Sequence, residues 1–261
     1  SAVIKKISFT GSTPVGQKLA ALAGDQAKPC VMELGGHAPV LVFDDAKLDK
    51  AIDLSVTTKS RNSGQVCISP TRFFVQEAVY DEFLTGFTEK FAALRIGNGL
   101  DNDTQMGPLA NPRRIAEIDD LVQDAVSKGA RLMTGGKRLD RPGNFYEATV
   151  LADVPATARI MQEEPFGPIA IINKFSSYDE AIEKANNTDF ALASYAFSGS
   201  QETIDKLGND LDSGKVGING YPVVFLDSPL GGRRQSGYGS EDGYEGLDAY
   251  RIVKFVSQSA I

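Results

Sequence analysis

Residues 9–23 read FTGSTPVGQKLAALA: an extended start, a Gly-Ser-Thr-Pro break, then Val15, Leu19 and Leu22 at helical spacing. The order strand, glycine turn, helix is the unit of sheets whose strands are joined by helical crossovers. Upstream, AVIKKISFTG (residues 2–11) reads as a strand from residue 3 with no loop or cap before it, as expected of a fragment of a longer protein. Downstream the alternation continues. PCVMELGG (29–36), PVLVFDD (39–45) and TRFFVQ (71–76) are strand patterns, with helical patterns at 44–60 and 80–94. Further helices are expected over 111–129 and within 174–187, and strands in GNFYEATVLADV (143–154), PIAIINKF (168–175) and ASYAFSG (193–199). This alternation predicts an α/β fold with a largely parallel sheet. SPLGGRRQSGYGSEDGYEG (228–246) reads as a long glycine-rich connection. AYRIVKFV (249–256) reads as a closing strand, free at a chain end to pair with another subunit.

Composition narrows the classes. With 42% hydrophobic residues over 261 positions, the chain can bury the core of one large domain or two modest ones. A net charge of −7 supplies no cationic field for nucleic-acid phosphates or anionic lipid, so neither nucleic acid nor membrane is an expected partner. No apolar run reaches the ~18 residues of a membrane span and no signal-peptide pattern is present, so the expected localisation is cytoplasmic. Two cysteines make neither a disulfide framework nor a four-ligand zinc site, and no metal is expected. Cys30, inside PCVMEL, is expected to pack.

Four stretches carry candidate chemistry, each with an ordinary alternative. GSTPVG (Gly11, Ser12, Thr13, Pro14, Val15, Gly16) sets a helix start, with Ser12 and Thr13 as candidate caps, where backbone N–H groups and the helix dipole suit a phosphate. The same turn is common in α/β proteins. Glu33 ends an apolar strand just before Gly35 and Gly36; it is either a positioned base or a strand-end carboxylate partly in water. In NSGQVCISP (62–70), a sharp turn at Gly64 presents the Cys67 thiol and its own N–H to a cleft; the alternative is a small buried hydrophobe. EEPFGP (163–168) offers a carboxylate that can accept from both hydroxyls of a sugar diol and a ring, Phe166, that can flank a planar ligand, or else a helix end running into a turn. His37 reads as a loop histidine.

With GINGYP (217–222), and in this order, these motifs resemble the aldehyde dehydrogenase superfamily, NAD(P)-dependent enzymes that oxidise aldehydes to acids. The resemblance implies the remnant of a Rossmann-like cofactor-binding domain at 1–32, a catalytic domain at 33–213, an active-site-proximal glycine-rich segment at 214–243 and an oligomerisation arm at 244–261, in a homo-oligomer (dimer or tetramer). It makes Cys67 the nucleophile and Glu33 the general base. It places Gly11 to Gly16 along the cofactor pyrophosphate, Glu164 on the nicotinamide ribose of NAD or NADP, Phe166 beside the nicotinamide, and Asn219 in the substrate neighbourhood. Arg61, six residues before Cys67, matches an arginine that succinate-semialdehyde dehydrogenases use on the substrate carboxylate; an ordinary surface arginine is the alternative. Two departures stand out. His37 occupies a position where the family often has lysine, and YPVVFLDSPL (221–230) lacks an aromatic that the classical aldehyde pocket often carries, so a purely hydrophobic substrate funnel is not expected.

A thiol with a pKa near 8.5 is roughly 3% thiolate at pH 7, so it needs only modest help. A carboxylate at about 4.3 lies ~4 units below it, and direct proton transfer would cost roughly 6 kcal/mol unless burial raised Glu33. Glu33 is therefore expected chiefly to activate the water that releases product, with backbone donors and a positive nicotinamide ring stabilising the thiolate. Two other classes stay open. One is a thiol hydrolase pairing Cys67 with His37 or Glu33; the other is a non-catalytic fragment that dimerises through 249–256.

Overall fold

Strands with buried side chains along nearly their whole length have no water-facing side, and they are stable only inside a sheet covered on both faces. The computed structural model, which describes residues 1–260, places two such strands side by side at the centre of a seven-stranded sheet. In chain order the elements are β1 (Ile7–Thr10), α1 (Thr13–Gly24), β2 (Cys30–Glu33), β3 (Ala38–Val42), α2 (Leu48–Ser60), β4 (Pro70–Gln76), α3 (Tyr80–Ala92), α4 (Pro112–Ser127), β5 (Arg131–Thr134), β6 (Thr149–Ala152), β7 (Ile169–Phe175), α5 (Tyr178–Asn186), β8 (Phe190–Ala191), β9 (Ala193–Phe197), α6 (Gln201–Asp210), β10 (Lys215–Ile218), β11 (Arg233–Arg234), β12 (Gly237–Tyr238) and α7 (Gly243–Asp248). The large sheet runs β10-β9-β3-β4-β7-β6-β5, and all its pairings are parallel except β5 with β6.

The period of two along each strand separates two cores. Val40, Val42, Phe73 and Val75 point to the face covered by Phe83 and Phe87 of α3, whereas Leu41, Phe74 and Ile171 meet Ile118 and Leu121 of α4 on the other. Phe73 and Phe87 pack with ring centroids 5.1 Å apart, and truncating either to alanine would cost about 3–5 kcal/mol. No helix among the described residues is long and apolar enough to cross a membrane.

A second, three-stranded sheet has the order β1-β2-β12. The glycine-rich stretch expected as a connection supplies its third strand: β12 runs antiparallel to β2, with Gly237 opposite Glu33. Gly237 has φ +109°, and a Cβ there would lie 1.9 Å from the Met32 carbonyl oxygen, so only glycine fits. The same stretch also gives β11, antiparallel to β8, and α7. Two-residue strands carry no periodicity, which is why sequence patterns pass over them.

Other expectations shift at the edges. The first strand begins at Ile7, with Val3 and Ile4 exposed before it, and the strand expected over 143–154 contracts to β6. β5, α6 and β10 lie outside the stretches whose patterns predict strands or helices. Residues 249–256 form no strand. A strand needs a ladder partner, none of the described residues supplies one, and Ile252, Val253, Phe255 and Val256 are left exposed.

Candidate functional site

The chain passes from β2 to β3 through only four residues, 34–37, so the C-terminal edge of the small sheet abuts the N-terminal edge of the large one. Cys67 precedes β4, Glu164 precedes β7, and Glu33 ends β2, which brings all three to this seam. The two glycines explain how closely they meet. A Cβ on Gly36 would lie 2.1 Å from the Cys67 carbonyl oxygen, and one on Gly35 would lie 2.6 Å from Glu164 Oε2. The Gly36 N–H donates to Glu164 Oε1 at 2.9 Å.

The Cys67 loop is built under strain and held by hydrogen bonds. Asn62, Ser63 and Gly64 are consecutive left-handed residues, with φ of 48°, 56° and 71°, the first two at a cost of order 1 kcal/mol each. Asn62 and Gln65 exchange side-chain to backbone bonds, Asn62 Nδ2 to Gln65 O at 2.9 Å and Gln65 Nε2 to Asn62 O at 3.0 Å. Ser63 Oγ donates to Gly107 O at 2.7 Å, and the Ala110 N–H donates to Gln65 Oε1 at 2.9 Å. The Ser69 N–H then closes a turn on Val66 O at 2.8 Å, with Cys67 and Ile68 as its central residues.

Electrostatics at the seam favour neutral forms. Glu33 is 3% exposed, and burial first, then Glu241 and Asp242, push its carboxyl up to about 8. Its Oε1 has no hydrogen-bond partner, an unusual state for a buried carboxyl oxygen. Burial raises Glu164 to about 7 against the opposing pull of the Gly36 N–H, Arg114 and Lys59. Burial, then Glu164 and Glu33, also raises the Cys67 thiol, opposed by the backbone N–H groups of Ile68 and Cys67. The rise of Glu33 to about 8 works against the gap expected between glutamate and thiol, while the upward shift of the thiol works to keep it open.

Lys59, not singled out from the sequence, is fully buried beneath this loop. Its Nζ lies 3.4 Å from Ser69 Oγ and 3.1 Å from where a Cβ on Gly64 would be, and burial lowers its pKa to about 7. The sequence did hold a signal: Ala51, Ile52, Ser55, Val56, Lys59 and Ser60 recur at helical spacing on the buried side of α2.

The helix start of GSTPVG behaves differently from expectation in one respect. Ser12 is the N-cap residue but its side chain makes no capping bond, and Thr13 Oγ1 donates instead to Gln235 O at 3.1 Å. Pro14 lies in the first turn, which carries no acidic residue. Gly11, Ser12, Pro14 and Val15 are exposed, while Thr13 and Gly16 are buried. Phe166 has φ +42° and sits half-buried with the Arg114 guanidinium 5.8 Å from its ring centre.

Next to the Cys67 turn opens a cleft of about 730 Å³, lined among others by Arg61, Val66, Ile68, Tyr195, Asn219 and Tyr221. Tyr195 and Tyr221 make part of its wall aromatic. Asn219 reaches it in a left-handed conformation, but its amide is committed elsewhere, accepting from Ser198 N at 3.0 Å and donating to Ser198 O at 2.9 Å. His37 is not an open loop residue. It is buried, with Nε2 2.9 Å from Ile160 O and Nδ1 2.9 Å from Thr71 Oγ1, so neither ring nitrogen is free for a thiol. Burial, then Arg72, lowers its pKa well below the usual histidine range.

Comparison with known proteins places this arrangement. The model of the aldehyde dehydrogenase family matches residues 1–256. A putative 4-(hydroxymethyl)benzenesulfonate dehydrogenase, TsaD2 of Comamonas testosteroni, is 44% identical over 98% of this chain and 53% of its own length. The NADP(+) succinate-semialdehyde dehydrogenase GabD of Escherichia coli is 40% identical over 97% of this chain and 53% of its own. The crystal structure of an NADP-dependent enzyme of E. coli superposes with a TM-score of 0.92 at 40% identity, covering 95% of this chain and 52% of that one. The chain thus spans about half the length of the relatives it matches. Its fold, its motifs and these similarities agree: the chain belongs to the aldehyde dehydrogenase family.

Proposed function

We propose that the protein containing this chain oxidises an aldehyde with a distal anionic group to the carboxylic acid, using NAD or NADP, by covalent catalysis at Cys67. One observation carries this reading: Cys67, the unpartnered buried carboxyl oxygen of Glu33, and Glu164 converge on the two-glycine turn 35–36. A base with a free oxygen beside a nucleophile is arranged to deliver water to an acyl group on that nucleophile.

The residues present fit a dinucleotide. The start of α1 presents exposed backbone with no acidic side chain to repel a pyrophosphate, and Glu164, held through Oε1 by the Gly36 N–H, is a carboxylate that can accept from the hydroxyls of a sugar. When bound, the cofactor supplies a hydride-accepting ring and a positive charge near the thiol. Gly11 to Gly16 would hold its phosphates, Glu164 its ribose, and Phe166 the edge of its ring. Cys67, after its thiol gives up its proton to solvent, adds through Sγ to the aldehyde carbon, and the Cys67 N–H faces the resulting oxyanion. Loss of hydride from that adduct leaves a thioester on Cys67. Glu33 then takes a proton from water, whose hydroxide attacks the thioester and frees the acid and the thiol. No histidine is required, because hydride departure needs no proton.

Support for the anionic group comes from Arg61 and Lys50 on the cleft wall and from the names of two relatives, a sulfonate and a succinate-semialdehyde dehydrogenase. Residues 1–32 are the end of a cofactor-binding unit, 33–213 the catalytic domain, 214–243 the segment that laces the two, and 244–261 an arm whose exposed Ile252, Val253 and Phe255 pair with another subunit of a cytoplasmic homo-oligomer. The test is the appearance of reduced cofactor from the full-length protein with a panel of aldehydes, with and without a distal carboxylate or sulfonate. Turnover confined to anionic aldehydes is expected; no cofactor reduction with any of them would overturn the proposal.

A further inference from the structure

Resting on that reading of Cys67, we infer that Tyr195 is a positioning residue for the nucleophile, and that Ser55, Tyr221 and Tyr195 form a brace from the substrate-cleft wall to the Cys67 turn. The Tyr195 hydroxyl donates to the carbonyl of Ile68 at 2.8 Å, across 127 residues of sequence. Ile68 is the residue after Cys67 in the turn closed by Val66 and Ser69. The two central carbonyls of that turn are thus both fixed from outside, Cys67 O by the close approach of Gly36 and Ile68 O by Tyr195.

The brace continues away from the thiol. The Tyr195 ring packs on Tyr221 with centroids 4.6 Å apart, and the Tyr221 hydroxyl lies 2.6 Å from Ser55 Oγ on α2. Tyr195 is 1% and Tyr221 8% exposed, so their hydroxyls gain little from water and each needs its protein partner. Phenylalanine would fill the same volume. The hydroxyls therefore mark positions where orientation, not packing, is being specified. Burial and the neighbouring Cys67 keep Tyr195 protonated, hence a donor, over the ordinary pH range. A substrate chain lying along Tyr195 and Tyr221 would press on the ring that holds the nucleophile turn, coupling seating of the aldehyde to alignment of the thiol.

The test uses the full-length protein with Tyr195→Phe. Its first readout is the pH profile of Cys67 alkylation by iodoacetamide, located by peptide mass spectrometry, which requires neither cofactor nor turnover. With Ile68 O released, the backbone N–H groups of Cys67 and Ile68 lose their fixed aim at sulfur, so the alkylation midpoint should move to higher pH. The second readout is kinetic: kcat should fall about tenfold, the scale of one buried hydrogen bond lost from the reacting geometry, with KM for aldehyde nearly unchanged. Tyr221→Phe and Ser55→Ala break the same bond, so each should give a smaller shift of the same sign and the double variant no more than either single one. An unchanged alkylation midpoint in Tyr195→Phe, with its melting temperature preserved, would overturn the inference. If the wild type oxidises no aldehyde, the proposed activity fails while the alkylation profile still decides the role of Tyr195.

Discussion

The backbone N–H of Gly36 holds Glu164 at 2.9 Å while its α-carbon leaves no space for a side chain against the Cys67 carbonyl. One residue thus spaces the backbone of the Cys67 turn from the carboxylate assigned to the cofactor ribose. Gly36→Ala would drive a methyl into the Cys67 turn, and activity of the full-length protein should fall about 100-fold or more, since misplacement of reacting groups by 1 Å has effects of that size. Gly24→Ala is the control. A Cβ there meets nothing within 4 Å, and it should leave both activity and melting temperature near wild type. Wild-type kcat in Gly36→Ala would show that the contact does not matter.

Lys59 is a buried ammonium whose pKa burial lowers to about 7 from the usual lysine value of 10.5. Between those values the folded chain binds fewer protons at this site than the unfolded chain, so stability rises with pH across the window and is poorest below it. Lys59→Met removes both the buried charge and the slope. It should be more stable than wild type by about 1–3 kcal/mol near pH 6, with the advantage shrinking toward pH 9. Urea midpoints at the two ends of the window measure this, and a constant difference between the proteins would contradict it. Loss of the cation should also raise Glu164 further and weaken cofactor binding at neutral pH.

Much of this was legible in the sequence, and the reasons differ by element. FTGSTPVGQKLAALA and the continuous apolar runs disclosed a parallel sheet because side-chain period and burial are local properties. The order of glycine motifs disclosed the family, and the glycines prove to be the points where Gly36 meets Cys67 and Gly35 meets Glu164. Tyr195 was hidden because its importance lies in a bond spanning 127 residues, which no local pattern encodes. Asn219 was legible as a neighbour of the cleft, but not the fact that its amide is spent on Ser198. AYRIVKFV alternates as a strand does, but a strand exists only with a ladder partner, the described residues supply none, and the expected strand does not form.

Arg61 lies exposed on the cleft wall, so its loss should leave the fold intact. Arg61→Gln should raise KM for a carboxylate- or sulfonate-bearing aldehyde by about 10- to 100-fold, the scale of one charge-assisted hydrogen-bond pair, and leave neutral aldehydes unchanged. Because Arg61 is exposed, added salt should raise KM for the anionic aldehyde in the wild type but not in the variant. Equal effects on charged and neutral substrates would assign Arg61 to loop structure instead.

Glu33 carries the sharpest pH dependence. Its pKa, raised by burial to about 8 in the folded chain against the usual 4.5 of a glutamate, means that at neutral pH most molecules hold a protonated carboxyl. A general base must be ionised, so the rate of thioester hydrolysis should climb with pH and level off above about 8. Glu33→Gln keeps the shape but cannot accept a proton. It should give a burst of reduced cofactor of about one equivalent per site and then stall, with steady-state turnover down about 10²- to 10⁴-fold. The stability signature runs oppositely to that of Lys59. Between 4.5 and about 8 the folded state holds a proton that the unfolded state has released, so this contribution is complete below the window and lost as pH rises through about 8. Glu33→Gln should therefore gain on the wild type as pH increases, becoming the more stable protein above about 8. A loss of turnover without a burst would move Glu33 to the step that forms the thioester, and a pH-independent stability difference would mean that its carboxyl is not held neutral by burial.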